Sequence, residues 1–140
     1  MVTNIFVNLP VKDLKKTMEF FKKLGFTFNK QFTDEKAASL EIGKNIYAML
    51  LTESFFKTFI KKEIADSFKT TEVINAISVE SKQQVDEMVE KAFAAGAVKY
   101  KETDDYGWMY SRSFEDLDGH LWEVLYMDMN AMPKEMSDKK

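Results

Sequence analysis

Few side chains in this sequence have the type and setting to do chemistry. Glu123 is the sharpest of them. It stands four residues after Gly119 of an Asp118-Gly119 turn signal, inside the otherwise apolar run Leu121-Trp122-Glu123-Val124-Leu125. A carboxylate in apolar surroundings can orient a cationic or hydrogen-bonding ligand, or act as a base once desolvation raises its pKa. It can equally be a carboxylate satisfied by a neighbouring polar group. His120 is the one histidine. Strand alternation puts it on the opposite face from Glu123, so it reads as a surface or turn-stabilising residue. Asp116 and Asp118 read as loop formers that bond their own backbone. They lack the spacing of a calcium loop. A second constellation is Tyr106-Gly107-Trp108-Met109-Tyr110-Ser111-Arg112. As a strand it sets Trp108, Tyr110 and Arg112 on one side. They can form an aromatic wall with an anion clamp, or a core or interface strand.

Composition removes whole classes of chemistry. Among the 140 residues there is no cysteine, which excludes disulfides, thiol nucleophiles and thiolate metal sites. Twenty basic and 23 acidic side chains leave a net charge of −3. Arg112 is the only arginine, so nucleic-acid readout has little to work with. No apolar stretch approaches a membrane span and no leader-like segment opens the sequence. A cytoplasmic protein without membrane or nucleic-acid partners is expected. The length suits one domain.

The elements that must position these residues repeat. In the first half a β-rich segment, Thr3 to Leu9, leads to Asp13, a good helix N-cap. Leu14, Thr17, Met18, Phe20, Phe21 and Leu24 form a helical stripe closed by Gly25. Strands are predicted over Phe26 to Phe32, Ala37 to Ile42 and Ile46 to Leu51. In the second half Val73 to Val79 is strand-like. Ser81 and Gln84 make a capping box, and Val85, Met88, Val89, Ala92 and Phe93 line one helix face up to Gly96. Strands follow over Ala97 to Lys101, Trp108 to Phe114 and Leu121 to Met127. Each half reads β-α-β-β-β, an α+β fold from two tandem modules. Val11-Lys12-Asp13 aligns with Val79-Glu80-Ser81, and Ile46 to Leu51 with Leu121 to Tyr126. Module one spans about 1–55 and module two about 73–128. Between them, 53–72 carries Phe55, Phe56, Phe59, Ile60, Ile64 and Phe68 and is predicted helical, as a lid or a packed connector. Residues 129–140 are expected to be a flexible tail.

Three segments carry a family resemblance: Asn8-Leu9-Pro10-Val11-Lys12-Asp13-Leu14, Phe20-Phe21-Lys22-Lys23-Leu24-Gly25-Phe26, and Phe114-Glu115-Asp116-Leu117-Asp118-Gly119-His120-Leu121-Trp122-Glu123. In order and spacing they resemble the vicinal oxygen chelate superfamily, which includes glyoxalases, bleomycin-resistance proteins and extradiol dioxygenases. The last segment resembles F-x-D-P-D-G-x-x-x-E, with Leu117 in place of the proline. Over residues 1–128 the resemblance implies a single glyoxalase-like domain. Its two βαβββ modules would form a split barrel around a central cavity, commonly in a homodimer.

Enzymes of that superfamily usually hold a divalent metal on first- and last-strand side chains. The resemblance puts those positions at Phe6, Ala48, Ile74 and Glu123. Only Glu123 can ligate a metal, and one carboxylate is too few. No cofactor is therefore expected. The same resemblance makes Phe6, Asn8, Ala48, Ile74 and Glu123 ligand-binding candidates, and the aromatic strand adds Trp108, Tyr110 and Arg112. Two functions stand: a metal-free module that sequesters or senses a small, partly apolar molecule, and a metal-dependent lyase, isomerase or dioxygenase. A purely structural subunit has no positive signal.

Overall fold

The computed structural model describes residues 1–137. Their contacts divide into two compact units, Met1–Thr70 and a second beginning at Thr71.

The first unit runs β1 (Ile5–Val11), α1 (Leu14–Lys23), β2 (Thr27–Asn29), β3 (Ala37–Gly43), β4 (Ile46–Thr52) and α2 (Glu53–Lys57). Asp13 caps α1, its carboxylate accepting the Lys16 N–H at 3.2 Å. Gly25 ends the helix with a φ of 101°, a conformation a side chain would strain. The sheet order is β1-β4-β3-β2, with β1 parallel to β4. Leu9, Val11, Ala38, Leu40, Ala48 and Leu50 are buried on one face, and so are Phe20 and Phe21 of α1. Each such aromatic contributes about 1.5–3 kcal/mol by leaving water. The strand predicted over Phe26 to Phe32 is shorter than expected, because Asn29 caps a 3-10 turn over Lys30–Phe32 and diverts the chain.

The second unit repeats the plan with β5 (Ile74–Ser78), α3 (Lys82–Ala94), β6 (Val98–Lys99), β7 (Asp104–Asp105), β8 (Met109–Glu115), β9 (Leu121–Met127) and α4 (Lys134–Ser137). Its order is β5-β9-β8-β6, and β5 runs parallel to β9 as β1 does to β4. Ser81 caps α3 by accepting the Gln84 N–H at 3.1 Å. The Gln84 amide oxygen returns to the Glu80 N–H, one residue before the expected partner. β7 was not legible in the sequence. It is two aspartates paired to β8, too short for a periodic signal.

Three expectations need correction. The helix foreseen over 53–72 forms only at Glu53–Lys57; Thr58 caps its end and Asp66 builds a turn on the Phe68 N–H. The tail is not uniformly irregular, since Lys134–Ser137 is helical. Residues 138–140 lie outside the described part.

The third concerns the repeat. Phe6 pairs with Tyr47 in the first sheet, and Ile74 with Leu121 in the second. With Phe6 matched to Ile74, Tyr47 therefore matches Leu121, and Glu123 answers to Met49, not Ala48. The turns agree: Asn45 has a φ of 61° and Gly119 one of 83°, and they too stand in the same relation. The expected alignment of these last strands is one residue off. In a strand that slip changes the face.

Candidate functional site

Each sheet has a helix-packed face and an open face, and alternation sorts the candidates between them. In the first unit Phe6, Asn8, Tyr47, Met49 and Leu51 share the open face. Phe6 and Tyr47 stack with ring centroids 5.1 Å apart and planes 13° from parallel. Ala48 lies on the other face, only 1% exposed, so it does not line the open side. Asn8 and Leu51 join Phe56, Phe59 and Ile60 around a cavity of about 510 Å³. The 53–72 segment thus supplies three of the five lining residues, from α2 and the turn after it. Phe55 and Phe59 meet edge to face at 5.0 Å, which steadies this wall. Sequence reasoning named Asn8 but missed Leu51 as a lining residue. The aromatic spacing Phe55, Phe56, Phe59 and Ile60 was the available signal for the wall.

In the second unit Arg112 and Tyr110 face α3. The Arg112 guanidinium donates to Asp86 Oδ1 at 3.0 Å and to Glu90 Oε2 at 2.6 Å. It also sits 5.8 Å over the Phe93 ring. Tyr110 donates its hydroxyl to the same Asp86 oxygen at 2.6 Å. That bond, helped by Arg112 and opposed by desolvation, holds the Asp86 carboxyl below its ordinary pKa. It raises the phenol of Tyr110 in return. Arg112 therefore fastens helix to sheet with both ends of its fork occupied, and it is not placed as an anion clamp. Trp108 precedes β8, its carbonyl accepting the Asp128 N–H at 2.7 Å.

The loop before β9 is organised by Asp116, 4% exposed. Its Oδ1 accepts the Asp118 and His120 N–H groups at 2.9 and 3.0 Å, and its Oδ2 accepts the Trp122 indole N–H at 2.9 Å. Burial pushes its carboxyl up in pKa, against the pull of His120 and the Trp122 donor. His120 is itself buried beside this carboxylate. Asp116 is therefore the keystone of the turn, as its loop-forming role anticipates.

Glu123 stands on the open face of the second sheet, half-buried. Ala76 and Ser113 flank it in register across the two neighbouring strands. Ile74 shares this face beside Leu121. The metal positions implied by the resemblance now read Phe6, Met49, Ile74 and Glu123. A thioether in place of an alanine adds no hard ligand. Among the described residues no group of three His, Cys, Asp or Glu side chains is placed to hold a metal. The residues do not fit the superfamily's divalent ion.

The duplicated β-α-β-β-β plan and this register invite comparison with known proteins. A family model described as Bleomycin resistance protein-like N-terminal matches residues 3–43. A hypothetical protein from S. aureus superposes with a TM-score of 0.76 at 29% identity, covering 90% of this chain and 95% of that one. The first third of the chain is thus similar to a bleomycin-resistance family, and the fold is shared with proteins named for the glyoxalase/bleomycin resistance/dioxygenase group. A glyoxalase/bleomycin resistance protein/dioxygenase family enzyme from Burkholderia phytofirmans PsJN gives 0.72 at 16% identity, covering 87% and 96%. The fosfomycin resistance protein FosX from Listeria monocytogenes gives 0.65 at 23%, covering 93% and 98%. At those identities the likeness is one of fold. No curated protein matches the sequence. The α+β glyoxalase-like architecture expected from the sequence is thus the one observed. Among the described residues no helix is long and apolar enough to cross a membrane.

Proposed function

We propose that this vicinal oxygen chelate fold is a metal-free binding module for a small, partly apolar molecule, which it sequesters or senses. The observation that carries this reading is the cavity of about 510 Å³ lined by Asn8, Leu51, Phe56, Phe59 and Ile60. An apolar wall with one amide to orient the guest is the usual makeup of a small-molecule site. The donor set supports the metal-free part, since Phe6, Met49 and Ile74 leave Glu123 without partners. A cytoplasmic homodimer without nucleic-acid or membrane partners belongs to the same reading. The second reading, a metal-dependent lyase, isomerase or dioxygenase, is favoured only by Glu123 on its open sheet face.

A thermal-shift screen of small apolar compounds, each with one hydrogen-bonding group, tests the proposal. A ligand at a hundred times its Kd adds about 2.7 kcal/mol of stability. The melting temperature should rise, and the rise should shrink in Phe59→Ala, whose ring is two-thirds exposed at 67%. Dialysed protein is also offered Ni²⁺, Zn²⁺, Mn²⁺ and Fe²⁺. One tightly held ion per chain would overturn the metal-free reading in favour of the enzyme.

A further inference from the structure

The cavity of the first unit is specific about the charge of its guest. Asn8 and Leu51 stand on the open face of β1 and β4, and Phe56, Phe59 and Ile60 wall the space beside them. No charged side chain is among these five. The cross-strand rows at this end of the sheet are Ser39–Met49–Asn8 and Ala37–Leu51–Pro10. Glu41 belongs to the next row, with Tyr47 and Phe6. Lys36 Nζ lies 5.8 Å from the centre of the Phe55 ring, and Lys12 Nζ 5.5 Å from that of Phe68. Neither of those rings lines the cavity. Lys57, Lys61 and Lys62 are exposed. A charge brought among Leu51, Phe56, Phe59 and Ile60 gives up water without gaining a countercharge, so the lining favours a neutral guest.

The polar groups around the cavity narrow the choice. The Phe59 and Ile60 N–H groups are spent on the Phe56 and Lys57 carbonyls at 3.1 and 3.4 Å. Leu51 lies in β4, which is paired on both sides. Asn8 donates its side-chain nitrogen to the Phe6 carbonyl at 3.2 Å. The carboxamide is thus held by its donor end and offers its oxygen. An amide oxygen accepts and does not donate. A guest with an O–H completes the bond. A guest with only an acceptor oxygen sets two acceptors against each other and loses it. A volume of about 510 Å³ admits a body as large as two fused rings.

We propose that the cavity takes a neutral hydroxylated molecule, an apolar body whose O–H donates to Asn8 Oδ1. This rests on the binding function proposed above and names the class of its ligand.

Calorimetric titration at neutral pH with naphthol, methoxynaphthalene, naphthoate and naphthylmethylammonium tests this. The four share a ring body, substituted at the same position, and differ in the group that Asn8 meets. Naphthol should bind about fivefold to tenfold more tightly than the ether, the worth of one neutral hydrogen bond. It should bind about tenfold or more tightly than either ion. Asn8→Leu should weaken naphthol alone and so erase its advantage over the ether. Phe59→Ala should weaken both and keep that advantage. Tightest binding by naphthoate would hand selection to the exposed lysines and overturn the proposal. Tightest binding by the ammonium would overturn it as well. Equal binding of naphthol and ether, weakened by Phe59→Ala, would overturn the hydroxyl assignment and leave the binding module standing. Binding of none of the four would overturn the proposal, and a thermal-shift screen that is also blank would take the binding module with it. If Asn8→Leu fails to fold, the order of the four probes on the parent protein decides alone.

Discussion

Asp116 shows how much one residue can carry. A single buried carboxylate accepts two backbone N–H groups and an indole N–H, so removing it orphans three donors at once. Asp116→Ala should destabilise by about 3–5 kcal/mol, measured by urea unfolding. Asp116→Asn should recover part of the loss, because its amide oxygen keeps an acceptor. Asp86 makes the opposite electrostatic case. The Tyr110 hydroxyl and then Arg112 lower its pKa, so its contribution is present above the ordinary carboxylate value and fades as pH falls through the lowered one. Tyr110 is raised. Its contribution holds below the ordinary phenol value and fades as pH rises through the raised one. Tyrosinate absorbance should show a late-titrating phenol that is absent in Tyr110→Phe and returns toward the ordinary value in Asp86→Asn. Because Asp86 and Glu90 are about half to two-thirds exposed, solvent screening keeps this cluster's share of stability modest.

Among the elements, caps and turns did most to make the fold legible. Asp13, Gly25, Ser81 and Gly96 each mark a helix end where the structure has one, because orphan backbone groups at helix ends demand those residue types. Gly96 has a φ of 111°, and a Cβ there would meet Leu117 Cδ2 at 3.1 Å. Gly96→Ala should therefore cost about 1–2 kcal/mol, read as a lowered melting temperature. The 53–72 segment was misread because aromatic spacing signals burial more reliably than it signals continuous helix. Its rings do pack, but around turns. The shifted alignment of β4 with β9 has a related cause. Both strands are apolar on nearly every residue, so hydrophobic pattern alone does not choose between registers, and the positive φ of Asn45 and Gly119 does.

For the whole molecule, the two units share a plan and differ in what their open sheet faces offer. The first presents Phe6, Asn8, Tyr47, Met49 and Leu51, with Ser39 and Glu41 of β3 beside them. The second presents Ser111, Ser113 and Glu123. Neither fits the divalent metal that the superfamily's enzymes use. The ligand screen and the metal challenge address these faces separately, so each can fail alone.

By itself the sequence determined the modular β-α-β-β-β plan, the helix ends, the Asp116 turn and the scarcity of metal ligands. These depend on local backbone demands and on residue type, which a sequence states directly. Only the tertiary structure decided that Arg112 and Tyr110 turn toward α3, that Met49 and not Ala48 answers to Glu123, and that Ser111 and Ser113 lie buried. Those facts depend on which face of a strand is covered. A period of two offers both choices equally until helix and sheet are packed together.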